Sequence, residues 1–282
     1  AVLWALPILF SAFEFITSRG VLGFTWNSLC YTQSHNLLPA QIASLFGCYG
    51  VTFWIVLINV LIYKLFDNIR AKNKTHICKS IVIILVIFFA AYLYGGLIIN
   101  TASKNGKAET ITAGLVQPNI DPNKKWDRSS FRKNMNTLYE LSDSAAQETS
   151  LELLVWPETA VPDYLRYRKW LQREIRDFIV KRNTSLITGA PDFIRYENNK
   201  HKVYNSTFLL TPNSYDIESY NKIRLVPFGE KIPLSNVFEA LENLNLGQGN
   251  FDAGDSIKLF EVPIHLQAKT QGKKNILCSS AI

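Results

Sequence analysis

Residues 81–99, with the sequence IVIILVIFFAAYLYGGLII, form an apolar run that contains no charged side chain. A helix needs about 20 apolar residues to cross the ~30 Å hydrocarbon core of a bilayer, and a buried helix of a soluble protein rarely runs this long without a charge. A second charge-free run, LFGCYGVTFWIVLINVLIY at residues 45–63, has the same character. We therefore expect two membrane spans, near residues 45–63 and 81–99, and residues 1–13 resemble the end of an earlier span.

Charge divides the chain into two unlike parts. The 282 residues carry 30 Lys and Arg against 23 Asp and Glu, but residues 1–100 hold only 6 of these bases and 2 of these acids. Such asymmetry excludes a disordered chain, a collagen-like chain and a single uniform globule. Bases and acids are interleaved in the second part, which argues against a nucleic-acid surface. We expect a transmembrane region at residues 1–100 and a separate domain at residues 101–282.

The segment between the two spans predicts their orientation. Residues 64–79 contain five Lys or Arg and one acid, Asp67, and short loops of this kind stay in the cytoplasm. Residues 20–44 then form an outer loop whose aromatic residues lie at the membrane interface. Everything after the second span faces outward, which is the periplasm in a bacterium with two membranes. The expected location is the bacterial inner membrane, crossed several times.

The chain ends and the cysteines indicate whether the chain is a fragment and whether it holds a signal peptide, a zinc site or disulfides. Ala1 opens inside an apolar run, and residues 276–282 end like a buried strand without a tail, so we expect a fragment clipped at both ends. Residues 1–13 lack the basic start and the cleavage site of a signal peptide. The four cysteines lie far apart without C-x-x-C spacing, so no zinc site and no disulfide framework is expected.

The second part alternates strand and helix patterns, which predicts helices packed on a sheet. The expected helices are marked by apolar residues at steps of three and four, and the expected strands are short apolar runs. The helices are centred on Phe131, Met135, Leu138, Leu141 and Ala145 and on Leu171, Ile175, Phe178 and Ile179; the strands lie at residues 110–120, 151–156, 185–190, 206–210 and 274–279.

Three positions could carry chemistry. Glu158 follows a buried strand and Pro157, where catalytic groups of open α/β folds gather, although a solvated loop carboxylate fits as well. Lys222 precedes an apolar run that we interpret as a strand; it is either a surface cation or a fixed charge for an oxyanion. Cys278 follows two apolar residues and is either a small core residue or a nucleophile that needs a base and a positive charge nearby.

Taken together, these positions resemble a known family. VWPE at residues 155–158, KIRLVPFGE at 222–230 and Cys278 after an apolar strand are similar to the Glu-Lys-Cys triad of the nitrilase superfamily, in the form found in its membrane-bound branch, the apolipoprotein N-acyltransferases. The rest of the chain agrees with this resemblance. Further similar segments are EFITSR at 14–19, GFTW at 23–26, LPAQIA at 38–43, FGCYGV at 46–51 and LVQPNI at 115–120 with Trp126.

The resemblance implies membrane α-helices followed by an α/β nitrilase-like (α-β-β-α) domain, truncated at its C-terminal end. It implies that Glu158 acts as general base on Cys278, which takes a fatty acyl group from the sn-1 ester of a phospholipid, with phosphatidylethanolamine as the expected donor. Lys222 would stabilise the oxyanion, and Glu230 would orient Lys222 or transfer a proton. The acyl group would then pass to the N-terminal amine of a diacylated apolipoprotein.

The resemblance also implies that Trp126, Phe24 and Trp26 bind substrate, and that neither a metal nor a cofactor takes part. One departure stands out, because the family nucleophile is usually followed by Tyr-Glu, whereas Ser279 and Ser280 follow Cys278. Two alternatives stay open. One is a membrane-anchored amidase of the nitrilase type that gives its acyl group to water, and the other is a catalytically inactive protein with the same fold.

Overall fold

The computed structural model describes residues 2–105, 111–148, 150–195, 201–233, 250–264 and 274–279. The chain forms two compact units, residues 1–109 and 110–282. In chain order, the first unit contains α1 (Val2–Thr17), a 3₁₀ helix (Leu29–Gln33), α2 (Leu37–Ala40), α3 (Ala43–Arg70) and α4 (Lys74–Asn105). The second contains β1 (Ala113–Leu115), α5 (Arg128–Glu148), β2 (Leu153–Val155), α6 (Lys169–Arg182), β3 (Ser185–Arg195), β4 (His201–Leu210), β5 (Glu218–Asn221), β6 (Leu259–Ile264) and β7 (Lys274–Ser279).

In the first unit, α3 and α4 are long and apolar enough to cross a membrane. They contain the predicted spans, and both extend into residues 64–79, so only three residues separate them. Large apolar side chains of α4 remain exposed, including Val86, Phe89 and Leu93. A helix in the core of a soluble protein would bury these side chains, whereas a helix in contact with acyl chains would not. The pattern therefore favours a membrane setting.

A buried carboxylate joins three segments of this unit. Glu14 of α1 accepts a hydrogen bond from the backbone N–H of Leu29 at 2.6 Å and one from the Thr52 hydroxyl of α3 at 2.7 Å. It thereby joins α1, α3 and the 3₁₀ helix, because a buried carboxylate is stable only when its oxygens find donors. Cys30 and Cys48 are both free thiols.

The second unit is built on a five-stranded mixed sheet with strand order β1-β2-β3-β4-β5. β1, β2 and β3 run parallel, and β4 and β5 are added antiparallel. Side chains of α5 and α6, such as Leu138 and Ile175, pack on one face against Leu186 and Phe208. This layer arrangement follows from the alternation of side chains, since neighbouring residues of a strand face opposite sides.

The other face of the sheet is covered by β6, which pairs antiparallel with β7. Phe260 and Val262 of β6 pack there against Leu153, Leu209 and Tyr220. The sheet is therefore apolar on both faces, with helices on one side and a second, smaller sheet on the other. The prediction of apolar helices followed by an α/β domain is confirmed.

Several strand predictions need correction. The strand predicted after Lys222 is wrong, because residues 222–231 form turns with only an isolated bridge between Pro227 and Lys231. The real strand in this region, β5, precedes Lys222 and escaped prediction because ESYN has no apolar alternation. β6 was also missed. The first predicted strand shrinks to Ala113–Leu115, and β4 begins at His201, five residues before its predicted start.

Candidate active site

Glu158 lies just past β2, in a segment that packs alongside β3. The Trp156 N–H donates to the Ile187 carbonyl at 2.8 Å, and the Val161 N–H donates to the Gly189 carbonyl at 3.1 Å. A Cβ at Gly189 would come within 2.8 Å of the Glu158 Cα, so only glycine permits this close approach. The backbone that carries Glu158 is thus fixed by the strand beside it.

Both backbone groups of Lys222, the N–H and the carbonyl, form hydrogen bonds. Its N–H donates to the Asn205 carbonyl of β4 at 2.9 Å, and its own carbonyl accepts the Gly254 N–H at 2.9 Å. A Cβ at Gly254 would lie 2.9 Å from the carbonyl carbon of Asn221, so this approach also requires glycine. Only 7% of the Lys222 side chain is exposed, which excludes the interpretation of Lys222 as a surface cation.

The ammonium of Lys222 lies between two carboxylates. Its Nζ is 3.1 Å from Oε1 of Glu158 and 2.9 Å from Oε1 of Glu230. Burial lowers the pKa of Lys222, but hydrogen bonds to Glu230 and Glu158, with the charges of both carboxylates, outweigh burial and raise the pKa above its ordinary value. Lys222 is therefore a fixed cation, as a group that stabilises an oxyanion must be.

Glu230 is anchored by its second oxygen. The Val226 N–H donates to Oε2 of Glu230 at 2.9 Å, and the Glu230 N–H donates to the Val226 carbonyl at 2.9 Å. These bonds close the Pro227–Gly229 turn, so that Glu230 points back at Lys222. Because 85% of the Glu230 side chain is covered while 40% of Glu158 is exposed, Glu158 is the carboxylate that a substrate can approach.

Asn205, on β4, completes the cluster and was missed by the sequence analysis. Its buried Nδ2 donates to Oε1 of Glu158 and, at 2.9 Å, to Oε1 of Glu230. Both hydrogens of the amide are thereby used, and each Oε1 accepts from both Asn205 and Lys222. Its sequence carries no clear signal, because Asn205 is one of several polar residues in β4, and only the fold shows that it is buried.

Lys125, in the loop between β1 and α5, is a second missed residue. Its Nζ donates to the Glu158 carbonyl at 3.1 Å and to the Thr159 hydroxyl. Burial lowers the pKa of Lys125, and the nearby charge of Glu158 raises it in part. Trp126 follows in the same loop, with 37% of its surface exposed and the Lys125 Nζ 6.0 Å from its ring centroid.

The structure gives less information on the remaining predicted site residues. Cys278 is on β7, opposite Phe260 of β6, and its side chain lies outside the described residues, as does Ser280. Phe24 and Trp26 belong to the first unit, where they are exposed and their rings are 5.6 Å apart. Among the residues that the structure describes, no group of His, Cys, Asp or Glu is arranged to hold a metal ion.

The arrangement provides two chemical functions in one place. Within the described part of the chain, Oε2 of Glu158 accepts no hydrogen bond, while its Oε1 is held by Lys222 and Asn205. A carboxylate oriented through one oxygen can take a proton with the other. The buried ammonium can stabilise negative charge that develops on a substrate oxygen nearby. This pairing of a base with a cation is suited to acyl transfer.

Comparison with known proteins finds a family match in each unit. Residues 112–268 match the family described as carbon-nitrogen hydrolase, and residues 1–61 match the apolipoprotein N-acyltransferase N-terminal domain. The chain is 30% identical over 268 residues to an apolipoprotein N-acyltransferase of Chlorobaculum tepidum, covering 90% of this chain and 50% of that protein. It is 33% identical over 259 residues to one of Geobacter metallireducens, covering 91% and 49%. The chain thus spans about half the length of these relatives.

Among solved structures, an N-terminal amidase with a Gln-Gly peptide aligns over 60% of this chain and 38% of its own, at 14% identity and a TM-score of 0.39. The similarity to apolipoprotein N-acyltransferases and the nitrilase-like fold class, both predicted from the motifs, are confirmed by the family and sequence matches.

Proposed function

Since this chain belongs to the carbon-nitrogen hydrolase family, we propose that the full-length protein carrying it is an acyltransferase that N-acylates lipoproteins. The acyl group would move from a phospholipid, with phosphatidylethanolamine as donor, through a thioester on Cys278 to the N-terminal amine of a diacylated apolipoprotein. The observation that carries the proposal is the buried ammonium of Lys222 within 3.1 Å of Glu158 and 2.9 Å of Glu230. The matches to N-acyltransferases of the same family support the choice of acceptor.

In the first half-reaction, Glu158 takes the proton of the Cys278 thiol, and the thiolate attacks the ester carbonyl carbon. Lys222 stabilises the tetrahedral oxyanion while Glu230 holds Lys222 in place. The carbon–oxygen ester bond then breaks, and the leaving alkoxide receives the proton from Glu158. The products are the thioester and a lysophospholipid. A free thiol with a pKa of about 8.5 is a weak nucleophile at neutral pH, which is why the base is needed.

In the second half-reaction, the amine of the acceptor attacks the thioester carbonyl, again beside Lys222. Glu158 accepts a proton from the attacking nitrogen, the carbon–sulfur bond breaks, and Glu158 gives this proton to the leaving Cys278 thiolate. A covalent intermediate divides one difficult amide synthesis into two easier transfers. No external energy source is required, because an ester is exchanged for a thioester and the thioester for an amide.

A membrane setting fits both lipid substrates. The exposed apolar faces of α3 and α4 would contact acyl chains, and the bases in residues 64–79 would keep that segment in the cytoplasm. The domain after α4 would then lie on the periplasmic side of the inner membrane. The exposed Trp26 and Phe24 are proposed to contact lipid substrate at the membrane interface, because aromatic rings concentrate there.

Trp126 is proposed as a substrate contact of the second unit. Its ring is partly exposed, and its neighbour Lys125 binds the backbone of Glu158. A partly exposed aromatic side chain in a loop bound to the Glu158 turn can cover the apolar part of an acyl chain or of the acceptor lipid.

The experiment is a transfer assay with the purified full-length protein in mixed micelles of phosphatidylethanolamine and a diacylated lipopeptide. Mass spectrometry should find one added acyl group on the lipopeptide amine and an equal amount of lysophospholipid. Glu158→Gln should remove this transfer, whereas Glu140→Gln, at an exposed position of α5, should not. Fatty acid released to water without lipopeptide acylation would favour the hydrolytic alternative, and no product at all would favour the inactive one.

A further inference from the structure

The Glu158 turn contains a strained residue directly after the catalytic carboxylate. Thr159 has φ of 48°, in the left-handed region, although its side chain is β-branched. Branched residues are rarely found there, and such conformations persist only where surrounding contacts enforce them. Thr159 is buried, and its backbone packs against Gly189 of β3. The direction of the Glu158 side chain depends on this turn.

Lys125 supplies the contacts that enforce the turn from the opposite side. Its Nζ donates to the Glu158 carbonyl at 3.1 Å and to the Thr159 hydroxyl, so it forms a hydrogen bond with each of these two residues of the turn. Among the described residues, no carboxylate lies within 4.0 Å of this ammonium, so Lys125 does not serve a salt bridge. A charged donor binds a carbonyl more strongly than a neutral donor does.

The loop that carries Lys125 is itself tied to α5. Buried Asn134 donates through Nδ2 to the Lys125 carbonyl at 3.5 Å, and the Asp127 N–H donates to the Lys124 carbonyl at 3.2 Å. Lys125 is therefore a link between the loop with the exposed Trp126 and the turn with Glu158. Adjacent Lys124 is exposed, and its backbone bonds are to Asp121 and Asp127 of the same loop, so it provides a matched control.

We propose that Lys125 is a positioning residue that holds the left-handed turn at Thr159 and so directs the Glu158 carboxylate toward Lys222. This role rests on the proposed function, because it concerns how the same base is oriented. Lys125 acts through the backbone and does not contact reacting atoms. Without it, Thr159 would relax from φ of 48° toward ordinary values, and the carboxylate would turn away from the ammonium.

The test compares Lys125→Met, Lys125→Arg, Lys124→Met and Thr159→Gly in the full-length protein. Lys125→Met should lower kcat by roughly 10- to 100-fold and leave KM for lipopeptide and phospholipid within about twofold, since misplacing a catalytic group by about 1 Å costs up to about 100-fold. Lys125→Arg should retain part of the rate, and Lys124→Met all of it. Glycine adopts positive φ without strain. The double variant Lys125→Met/Thr159→Gly should therefore have a kcat at least about fivefold higher than that of Lys125→Met alone.

Hydrogen exchange of residues 156–161 provides a readout that needs no activity. The Ala160 N–H donates to the Pro157 carbonyl within the turn, and the Val161 N–H donates to the Gly189 carbonyl of β3. Both amides should exchange faster in Lys125→Met, more slowly again when Thr159→Gly is added, and as in wild type in Lys124→Met. Unchanged exchange in Lys125→Met, a change confined to KM, or no rescue by Thr159→Gly would overturn the positioning role. An inactive wild type with the expected exchange pattern would instead refute the proposed function alone.

Discussion

Replacing Lys222 by Met removes the cation that lies between the two carboxylates. Its distances of 3.1 Å to Glu158 Oε1 and 2.9 Å to Glu230 Oε1 place these oxygens no more than about 6 Å apart. Two unit charges at that distance repel by about 3 kcal/mol at an effective dielectric constant near 20. Because 40% of the Glu158 side chain is exposed, solvent screens part of this, and we expect Lys222→Met to cost about 2 kcal/mol of stability.

The effect on the rate should be larger than the effect on stability. Loss of one oxyanion donor typically lowers the rate by about 10² to 10³, and Lys222→Met should lower acyl transfer to this extent. The assay pairs thermal unfolding, with a decrease of roughly 5 °C in Tm expected, with single-turnover acyl transfer. Lys258→Met is the matched control, since Lys258 makes an exposed 3.1 Å ion pair with Glu218 whose loss should cost under about 1 kcal/mol.

A double variant separates repulsion from catalysis. Adding Glu230→Gln to Lys222→Met removes one of the two facing carboxylates, while the amide oxygen can still accept from the Val226 N–H. Most of the lost stability should return, and the lost activity should not. Near-normal turnover in Lys222→Met would refute the assignment of Lys222 as the oxyanion cation. Unchanged stability would refute the electrostatic account of the cluster.

Three further predictions follow from the same structure. Asn205→Ala should lower the acyl-transfer rate by about tenfold or more, because each carboxylate loses one of its two donors to Oε1. Asn205→Asp adds a third carboxylate and should have a lower rate and a lower Tm than Asn205→Ala. Equal rates in the two variants would contradict this prediction. The pKa of Lys222 lies above its ordinary value of 10.5, so its stabilising effect is complete below that pH and lost as pH rises through the folded-state pKa. When unfolding is measured against pH, the stability difference between wild type and Lys222→Met should therefore shrink above about pH 10.5. A constant difference would contradict this prediction. Single cysteines at Asn73 and Asn105, in a background without native cysteines, should be labelled by an impermeant thiol reagent in spheroplasts only at Asn105 if residues 64–79 are cytoplasmic; labelling only at Asn73 would invert the topology.

The sequence predicted the elements that local patterns determine. Apolar periodicity identified α5 and α6, and charge-free runs identified the two long helices, because burial or a lipid setting imposes these patterns directly. β5 was missed because three of its four residues are polar, and this short edge strand is stabilised by pairing with β4. The strand predicted after Lys222 was wrong because three of the four residues 223–226 are apolar, yet Glu230 bonds to Val226 and closes a turn there.

The site could be predicted only where a motif marks it. Glu158, Lys222 and Glu230 stand in recognisable segments, and the structure brings them together. Asn205 and Lys125 have no such mark, because their roles arise from the strand register and from a loop that returns to the β2 end. Contacts between residues 33 to 47 positions apart depend on the completed fold.

In the proposed mechanism, Cys278 carries the acyl group as a thioester between donor and acceptor. Full-length protein is incubated with phosphatidylethanolamine alone, and its intact mass is measured before and after hydroxylamine. The wild-type protein should gain one fatty acyl mass that hydroxylamine removes. Cys278→Ala should gain none, and Glu158→Gln should gain it much more slowly. Acylation of the lipopeptide without a hydroxylamine-sensitive adduct on the wild-type protein would contradict the two-step mechanism, and the absence of both would contradict the acyltransferase assignment.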